Sequence, residues 1–270
     1  MRVLLIFMCV AFGVYGAPLT RQMVDMTYTF DETTPYHPTL KKYERDTLVI
    51  NEDPKDPYSA WIQLEEYASS THAGTHMDAP RHFNKNGKTI DQLDITNFIA
   101  PAAVVDITRK AELNPDAEAT VEDLLHWESV TGQNLNGTIL MLRTGWGKKW
   151  GDKAAYYGAP VENPNPSQLH YPGISSVAAQ WLVDNRNILG IGIDTVSFDS
   201  GASKGYPAHK ILLGHGIFAL ENVAKMEDIP IYGAELHVMP MKIGGGSGAP
   251  TRVIAIFPEV VLPSTYFCHT

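Results

Sequence analysis

Cysteine is almost missing from the chain: 270 residues contain two, Cys9 and Cys268. Cys9 lies in an apolar opening stretch and Cys268 stands in the tail, so a disulfide framework is excluded and Cys268 reads as a bystander. Long apolar runs are lacking too. A bilayer-spanning helix needs roughly 20 such residues, and the nearest approach is the opening itself: Met1-Arg2, the apolar stretch Val3 to Val14, then small residues at Gly16 and Ala17. That is the anatomy of a secretory leader. Cleavage is expected after Gly16, so residues 1–16 are predicted to be removed and 17–270 to fold as a single domain outside the cytosol, with no membrane partner. A basic excess is also absent, with 21 Lys and Arg against 30 Asp and Glu. A chain so acidic repels polyanions, which excludes nucleic acid as the expected partner and leaves a small molecule.

No internal repeat or interdomain linker is visible. The Pro-rich 161–167 segment and the Gly-rich 244–248 segment are short, and both read as loops. Alternating apolar residues predict strands at Met26–Phe30, Trp61–Tyr67, Ala103–Ile107, Ile139–Arg143, Ile188–Thr195, Glu235–Met239 and Val253–Phe257. Thr120 can cap a helix over Val121–Val130, with Asp123 at the third position and Gly132 beyond the end. Ser175 can cap another, whose apolar face is predicted from Val177, Trp181 and Leu182. Strands and helices are therefore intermixed in one α/β domain.

Chemistry concentrates in Ser70-Thr-His-Ala-Gly-Thr-His-Met-Asp-Ala-Pro-Arg-His-Phe83. Ten histidines spread evenly would place about 0.4 in an eleven-residue window, yet His72 to His82 contains three and a carboxylate, the side chains that metals favour. Residues four apart meet on a turn and residues two apart share a face of extended chain. His72 with His76 suits a turn and His76 with Asp78 suits a strand, so a turn passing into a strand converges all three; Gly74 gives the backbone freedom for it. Two imidazoles and a carboxylate form a site of intermediate hardness, suited to zinc, manganese or ferrous iron. An ion held there acidifies water enough to attack a carbonyl at neutral pH. His82 is either a further ligand or the group that protonates the departing atom, and the second role is the one assigned here. A later patch, Tyr206-Pro-Ala-His209 to Glu221-Asn222, adds a histidine and a glutamate twelve residues apart that prove nothing by spacing alone.

Together these stretches resemble the metal-dependent cyclase family, which includes bacterial-type kynurenine formamidases and isatin hydrolases. Asp25 to Phe30, Arg143 to Trp146 and Gly192 to Ser197 also resemble family segments, so the likeness runs over most of the chain. The resemblance implies that His72, His76, Asp78, His209 and Glu221 bind one or two divalent ions, zinc or manganese, with His82 as catalytic acid/base. It implies mixed sheets curled into a partly closed barrel flanked by helices, assembled as a homodimer or larger homo-oligomer. It implies an arylformamidase of tryptophan catabolism, turning N-formylkynurenine into kynurenine and formate, or a hydrolase that opens a cyclic amide or lactone such as isatin. One departure bears on substrate: where formamidases carry a Trp before proline, this chain has Pro35-Tyr36-His37-Pro38, which makes His37 a candidate substrate-binding residue. Asp194 is expected to hold structure through hydrogen bonds.

Two rival readings are weaker. A serine hydrolase needs a Gly-x-Ser-x-Gly elbow between strand and helix; Ser247 is the nearest imitation, but Ala249 replaces the final glycine and Pro250 follows. A secreted protein that only binds a metal or metabolite has no need of His82. Asn136-Gly-Thr138 is an N-glycosylation sequon.

Overall fold

The computed structural model describes residues 20–35, 40–160 and 168–259. The opening stretch predicted to be a leader, His37, the 161–167 segment and Cys268 lie outside the described residues. Among the described residues twelve strands are formed: β1 (Arg21–Asp25), β2 (Glu44–Ile50), β3 (Ile62–Ala68), β4 (His76–Asp78), β5 (Ile99–Asp106), β6 (Glu118–Ala119), β7 (Ile139–Arg143), β8 (Gly173–Ile174), β9 (Gly190–Ile193), β10 (Phe218–Glu221), β11 (Glu235–Pro240) and β12 (Gly248–Pro258). Five α-helices accompany them: α1 (Thr108–Leu113), α2 (Val121–Thr131), α3 (Lys153–Tyr157), α4 (Ser176–Asn185) and α5 (Pro207–Gly214).

The main sheet runs β1-β12-β11-β5-β7-β9-β10-β4, and a further pairing of β12 with β4 closes it. Seven strands thus form a ring, with β1 laid antiparallel against β12 outside it. β5, β7, β9 and β10 are parallel; the joints to β4, β11 and β12 are antiparallel. This is the expected α/β barrel. Alternation of side chains along each strand divides the core in two. Ala102, Val104, Ile139, Met141, Phe218 and Leu220 belong to one cluster, which fills the barrel. Their neighbours Ala103, Val105, Leu140, Leu142 and Ala219 belong to the second, with Leu124 and Trp127 of α2, Leu182 of α4 and Leu212 of α5, between barrel and helices. Along β9 the inward positions are glycines: a Cβ on Gly190 would stand 2.3 Å from the Phe218 ring, and one on Gly192 would stand 2.6 Å from the Met141 sulfur.

Several boundaries differ from expectation. The first strand is Arg21–Asp25, not Met26–Phe30, because Met26 turns into the barrel and is fully buried, with its N–H bonded to the Val253 carbonyl. The strand predicted at Ile188–Thr195 is confined to Gly190–Ile193, since Asp194 and Thr195 are taken by side-chain bonds. α2 has the predicted Thr120/Asp123 capping box and left-handed Gly132. Ser175 caps α4 as predicted, but the buried face is Ala178, Ala179 and Leu182, while Val177 is 70% exposed. Small side chains let that helix sit close to the barrel, and bulk at 177 points away. α1, α3 and α5 were not foreseen. Asp194 does hold structure: buried, it accepts bonds from the Thr144 N–H and hydroxyl and from the Trp146 N–H. Among the described residues no helix is long and apolar enough to cross a membrane.

The filled barrel generates a test. Gly190→Ala should cost about 1–3 kcal/mol through overpacking, whereas Gly214→Ala, with nothing within 4 Å of the added carbon, should stay within about 0.5 kcal/mol of the parent. Denaturant midpoints of the two variants measure the difference.

Candidate metal centre

Three separate segments build the centre. The first is the loop entering β4, where Gly74 adopts φ +63 and its Cα faces the Phe30 ring so closely that a Cβ would lie 2.8 Å from it. This bend delivers His76 and Asp78 to one face of β4, while Met77 between them enters the barrel core. Pro80–His82 then forms a single 3₁₀ turn that brings His82 alongside, its ring stacked on His72 at 4.1 Å. The second segment is β10, whose Glu221 pairs in register with His76 across the strands. The third is α5, which supplies His209 from its first turn. The five residues expected to share a point are brought together on the outer face of the barrel beneath α5, and all but the partly exposed His72 are buried.

Asp78 is the centre of the group. His72 Nδ1 lies 2.6 Å from its Oδ1 and His76 Nε2 lies 3.4 Å from the same oxygen, while His209 Nε2 is 3.6 Å from Oδ2. Glu221 closes the circle, 3.4 Å from His76 Nε2 and 3.3 Å from His209 Nε2. Each imidazole is anchored on its other nitrogen. His76 Nδ1 donates to the Gly74 carbonyl at 2.9 Å, His209 Nδ1 meets the Asp199 carboxylate at 2.7 Å, and His72 Nε2 meets the Ser247 hydroxyl at 3.0 Å. Such outer partners fix tautomer and ring orientation in metal sites. A carbonyl or carboxylate can only accept, so in the neutral ring the nitrogens of His76 and His209 left facing Asp78 and Glu221 carry lone pairs towards oxygens, a repulsion relieved by a proton on the ring or by a cation between.

The spacing fits a cation. Ligand atoms about 2.0–2.1 Å from a tetrahedral ion stand about 3.4 Å apart, and four nitrogen–oxygen separations here are 3.3–3.6 Å, too long for charged hydrogen bonds. Asp78 Oδ2 is buried with no hydrogen-bond partner. Two triads have ligand atoms within 4.8 Å of one another, His76-Asp78-Glu221 and His72-Asp78-His82, and Asp78 belongs to both.

The electrostatics agree. Burial opposes ionisation of Asp78, yet the imidazoles of His209, His72 and His76 that face it hold it well below the usual carboxylate range. Glu221 is pushed up by burial and by Asp78, but His209 and His76 prevail and lower it. Burial disfavours a charged His76; the two carboxylates outweigh it and raise it to about 10. His209 is raised likewise against its burial, by Asp199 first. The pocket stabilises positive charge at its centre, from protons when nothing else is there. His82 differs: desolvation is the largest cause, and together with repulsion from His72 and His209 it overcomes the pull of Asp78 and Glu221 and lowers the ring to about 4, so it is uncharged at neutral pH.

A cavity of about 240 Å³ opens over this group, with His72, His76, His82, His209 and Glu221 on its floor and Leu40, Phe83, Val196 and Tyr206 in its walls. Ser247, His72 and Asp78 stand in the order of a serine-hydrolase relay, but His72 lines the cavity and Ser247 does not; the hydroxyl serves the imidazole. Sequence reading missed the anchors. Asp199 is ten residues from His209 with no motif between, and it accepts the N–H groups of Ala208 and His209 as well as the ring proton. The Gly-rich segment, read as a plain loop, supplies Ser247 and begins β12 at Gly248, where a Cβ would stand 2.4 Å from the His72 ring. Asn222, beside Glu221, donates to the Gly74 carbonyl and so braces the bend from the other side.

Known proteins share this fold. Residues 24–200 match the family model described as "Putative cyclase". The chain belongs to the cyclase family, and it is a hydrolase of that family by its relatives. Isatin hydrolase of Roseibium aggregatum is 30% identical over 253 residues, 88% of this chain and 92% of that protein. Kynurenine formamidase of Salinibacter ruber is 29% identical over 196 residues, 72% of this chain and 79% of that protein. Among solved structures, isatin hydrolase A from Ralstonia solanacearum superposes with a TM-score of 0.78 at 29% identity, covering 88% of this chain and 92% of its own.

The anchors predict a graded outcome. Asp199→Ala should weaken divalent-ion affinity by about 10–100-fold while leaving the barrel folded, and Asp78→Asn should abolish retention. Competition with a chromogenic chelator, alongside circular dichroism, reads both.

Proposed function

We propose that this protein is an exported, divalent-metal-dependent amidohydrolase that cleaves the C–N bond of an aromatic amide, with N-formylkynurenine, giving kynurenine and formate, as one substrate. The observation that carries the reading is the ring of four nitrogen–oxygen separations of 3.3–3.6 Å around buried carboxylates, beneath a cavity walled by Leu40, Val196 and the rings of Phe83 and Tyr206. His72, His76, Asp78, His209 and Glu221 would hold one or two ions, zinc or manganese by the mixture of imidazole and carboxylate. An ion bound there supplies Lewis acidity, which acidifies water and offsets the negative charge that develops on a carbonyl oxygen.

The chain's own groups do the rest. His82, neutral at pH 7 and beside the carboxylates, takes the proton of the attacking water on a ring nitrogen and later delivers it to the departing amide nitrogen. Asp78 and Glu221 keep the centre anionic, which favours a cation over a bare anionic substrate. The apolar walls exclude water from the bond being broken.

A second substrate reading has its own support. The isatin hydrolase aligns over 88% of the chain and the kynurenine formamidase over 72%, so ring opening of a cyclic aromatic amide, by the same proton movements, stands beside formamide cleavage. Export is supported by the apolar stretch after Arg2 and by an exposed Asn136 in the sequon. Self-association is supported by β2 and β3, a two-stranded ribbon exposed along its whole length. Such ribbons are marginal alone in water, and Leu48, Ile50, Ile62 and Leu64 share one of its faces through the Leu48↔Leu64 and Ile50↔Ile62 pairs.

Purified protein should contain tightly held zinc or manganese and hydrolyse N-formylkynurenine, isatin or both. His82→Ala should lower kcat about 10²–10⁴-fold with ion content unchanged. Protein that holds no divalent ion and turns over neither compound would overturn the reading. Light scattering should find a dimer or larger particle, and Leu48→Lys with Leu64→Lys should shift it to the monomer.

A further inference from the structure

One wall of the cavity has no part in the proton and ion chemistry. Phe83 follows His82, and Tyr206 immediately precedes α5; their ring centroids are 5.6 Å apart with planes tilted by 57°. Tyr206 also stands edge-on to His209, at 5.7 Å and 81°. A third ring inserted between two others needs their centroids about 7 Å apart, twice the roughly 3.5 Å contact between carbons. Phe83 and Tyr206 therefore leave no slot between them and offer a continuous aromatic surface.

Tyr206 occupies this place at the expense of its backbone. Its φ of 54° and ψ of 56° are left-handed, a region that bulky residues rarely enter. It also precedes Pro207, and the proline ring pushes the residue before it towards extended conformations. Strain of this kind persists only where the surroundings impose it. Here the Asp199 carboxylate fixes the N–H groups of Ala208 and His209, and the Tyr206 carbonyl accepts from the Lys210 N–H. Core burial is not the return, because Tyr206 remains 40% exposed. What the strained backbone achieves is a ring held at the cavity wall beside the imidazole of His209.

We infer that Tyr206 is the residue that selects aromatic over aliphatic amides, its ring packing with Phe83 against a flat substrate ring while the amide lies over the histidine and carboxylate floor. The inference rests on the amidohydrolase reading, deepens it to substrate class, and is tested by binding without turnover. Calorimetry on the ion-loaded protein should show benzamide bound more tightly than acetamide. Tyr206→Phe should keep that preference. Tyr206→Gly, whose backbone suits the left-handed position, should lower benzamide affinity about tenfold and acetamide affinity far less, with ion content retained. Tyr206→Asn, also tolerated at such φ, is a second ringless variant with the same expected result. The inference is overturned if the ringless variants keep the preference, if Tyr206→Phe loses it as fully as they do, or if the parent binds neither amide. A parent that prefers benzamide yet hydrolyses no amide would sustain the selection by Tyr206 and remove the hydrolase assignment, so the two claims fail separately.

Discussion

The arrangement of the whole centre depends on the carboxylate of Asp78. It is buried, it faces nitrogens from three imidazoles, and its second oxygen has no hydrogen-bond partner. An anion withdrawn from water to this degree is costly unless positive charge is supplied nearby. Ion-pair partners of Asp78 and Glu221 are histidines throughout the described residues, so the compensation comes from imidazoles that can carry protons or yield their inner lone pairs to a cation. That choice between proton and metal is what makes the place a site, where a lysine or arginine partner would have made it a static ion pair.

Placement of Asp78 is enforced by the barrel. On β4 the residues alternate, with Met77 in the barrel core and His76 and Asp78 on the outer face. A register slip of one residue would expose Met77 and bury two polar groups in the apolar interior. β10 repeats the arrangement, with Leu220 inward and Glu221 outward opposite His76. The precision of the centre therefore comes from hydrophobic packing on the opposite side of the same strands. Outer anchors complete it: a backbone carbonyl for His76, a hydroxyl for His72 and a carboxylate for His209.

What could be read from the sequence follows the range of the forces involved. His72, His76, Asp78 and His82 were legible because their spacing is local, set by one turn and one strand. His209 and Glu221 carried no signal of their own and entered by resemblance, since only the antiparallel pairing of β10 with β4 and the placement of α5 bring them near. Asp199, Ser247 and Asn222 were missed for a related reason: an anchor is defined by the atom it meets, and no spacing rule links position 247 to 72. The fold class was legible from intermixed strands and helices, yet the Met26–Phe30 strand was misplaced because an alternating pattern does not reveal where a chain leaves a sheet edge to enter the interior. The face of α4 was misread because close packing rewards alanine where a hydropathy pattern rewards bulk.

The Asp199 carboxylate performs two tasks with one group: it receives the first N–H groups of α5 and it orients the His209 ring. Helix initiation and orientation of the His209 ring are consequently one thermodynamic event. An ion bound at the centre would tighten the start of α5, and unravelling that turn would release it, so thermal endurance would become a function of the free ion concentration around the protein. A protein built this way, with its centre filled by a metal, would report the metal supply around it through its own lifetime.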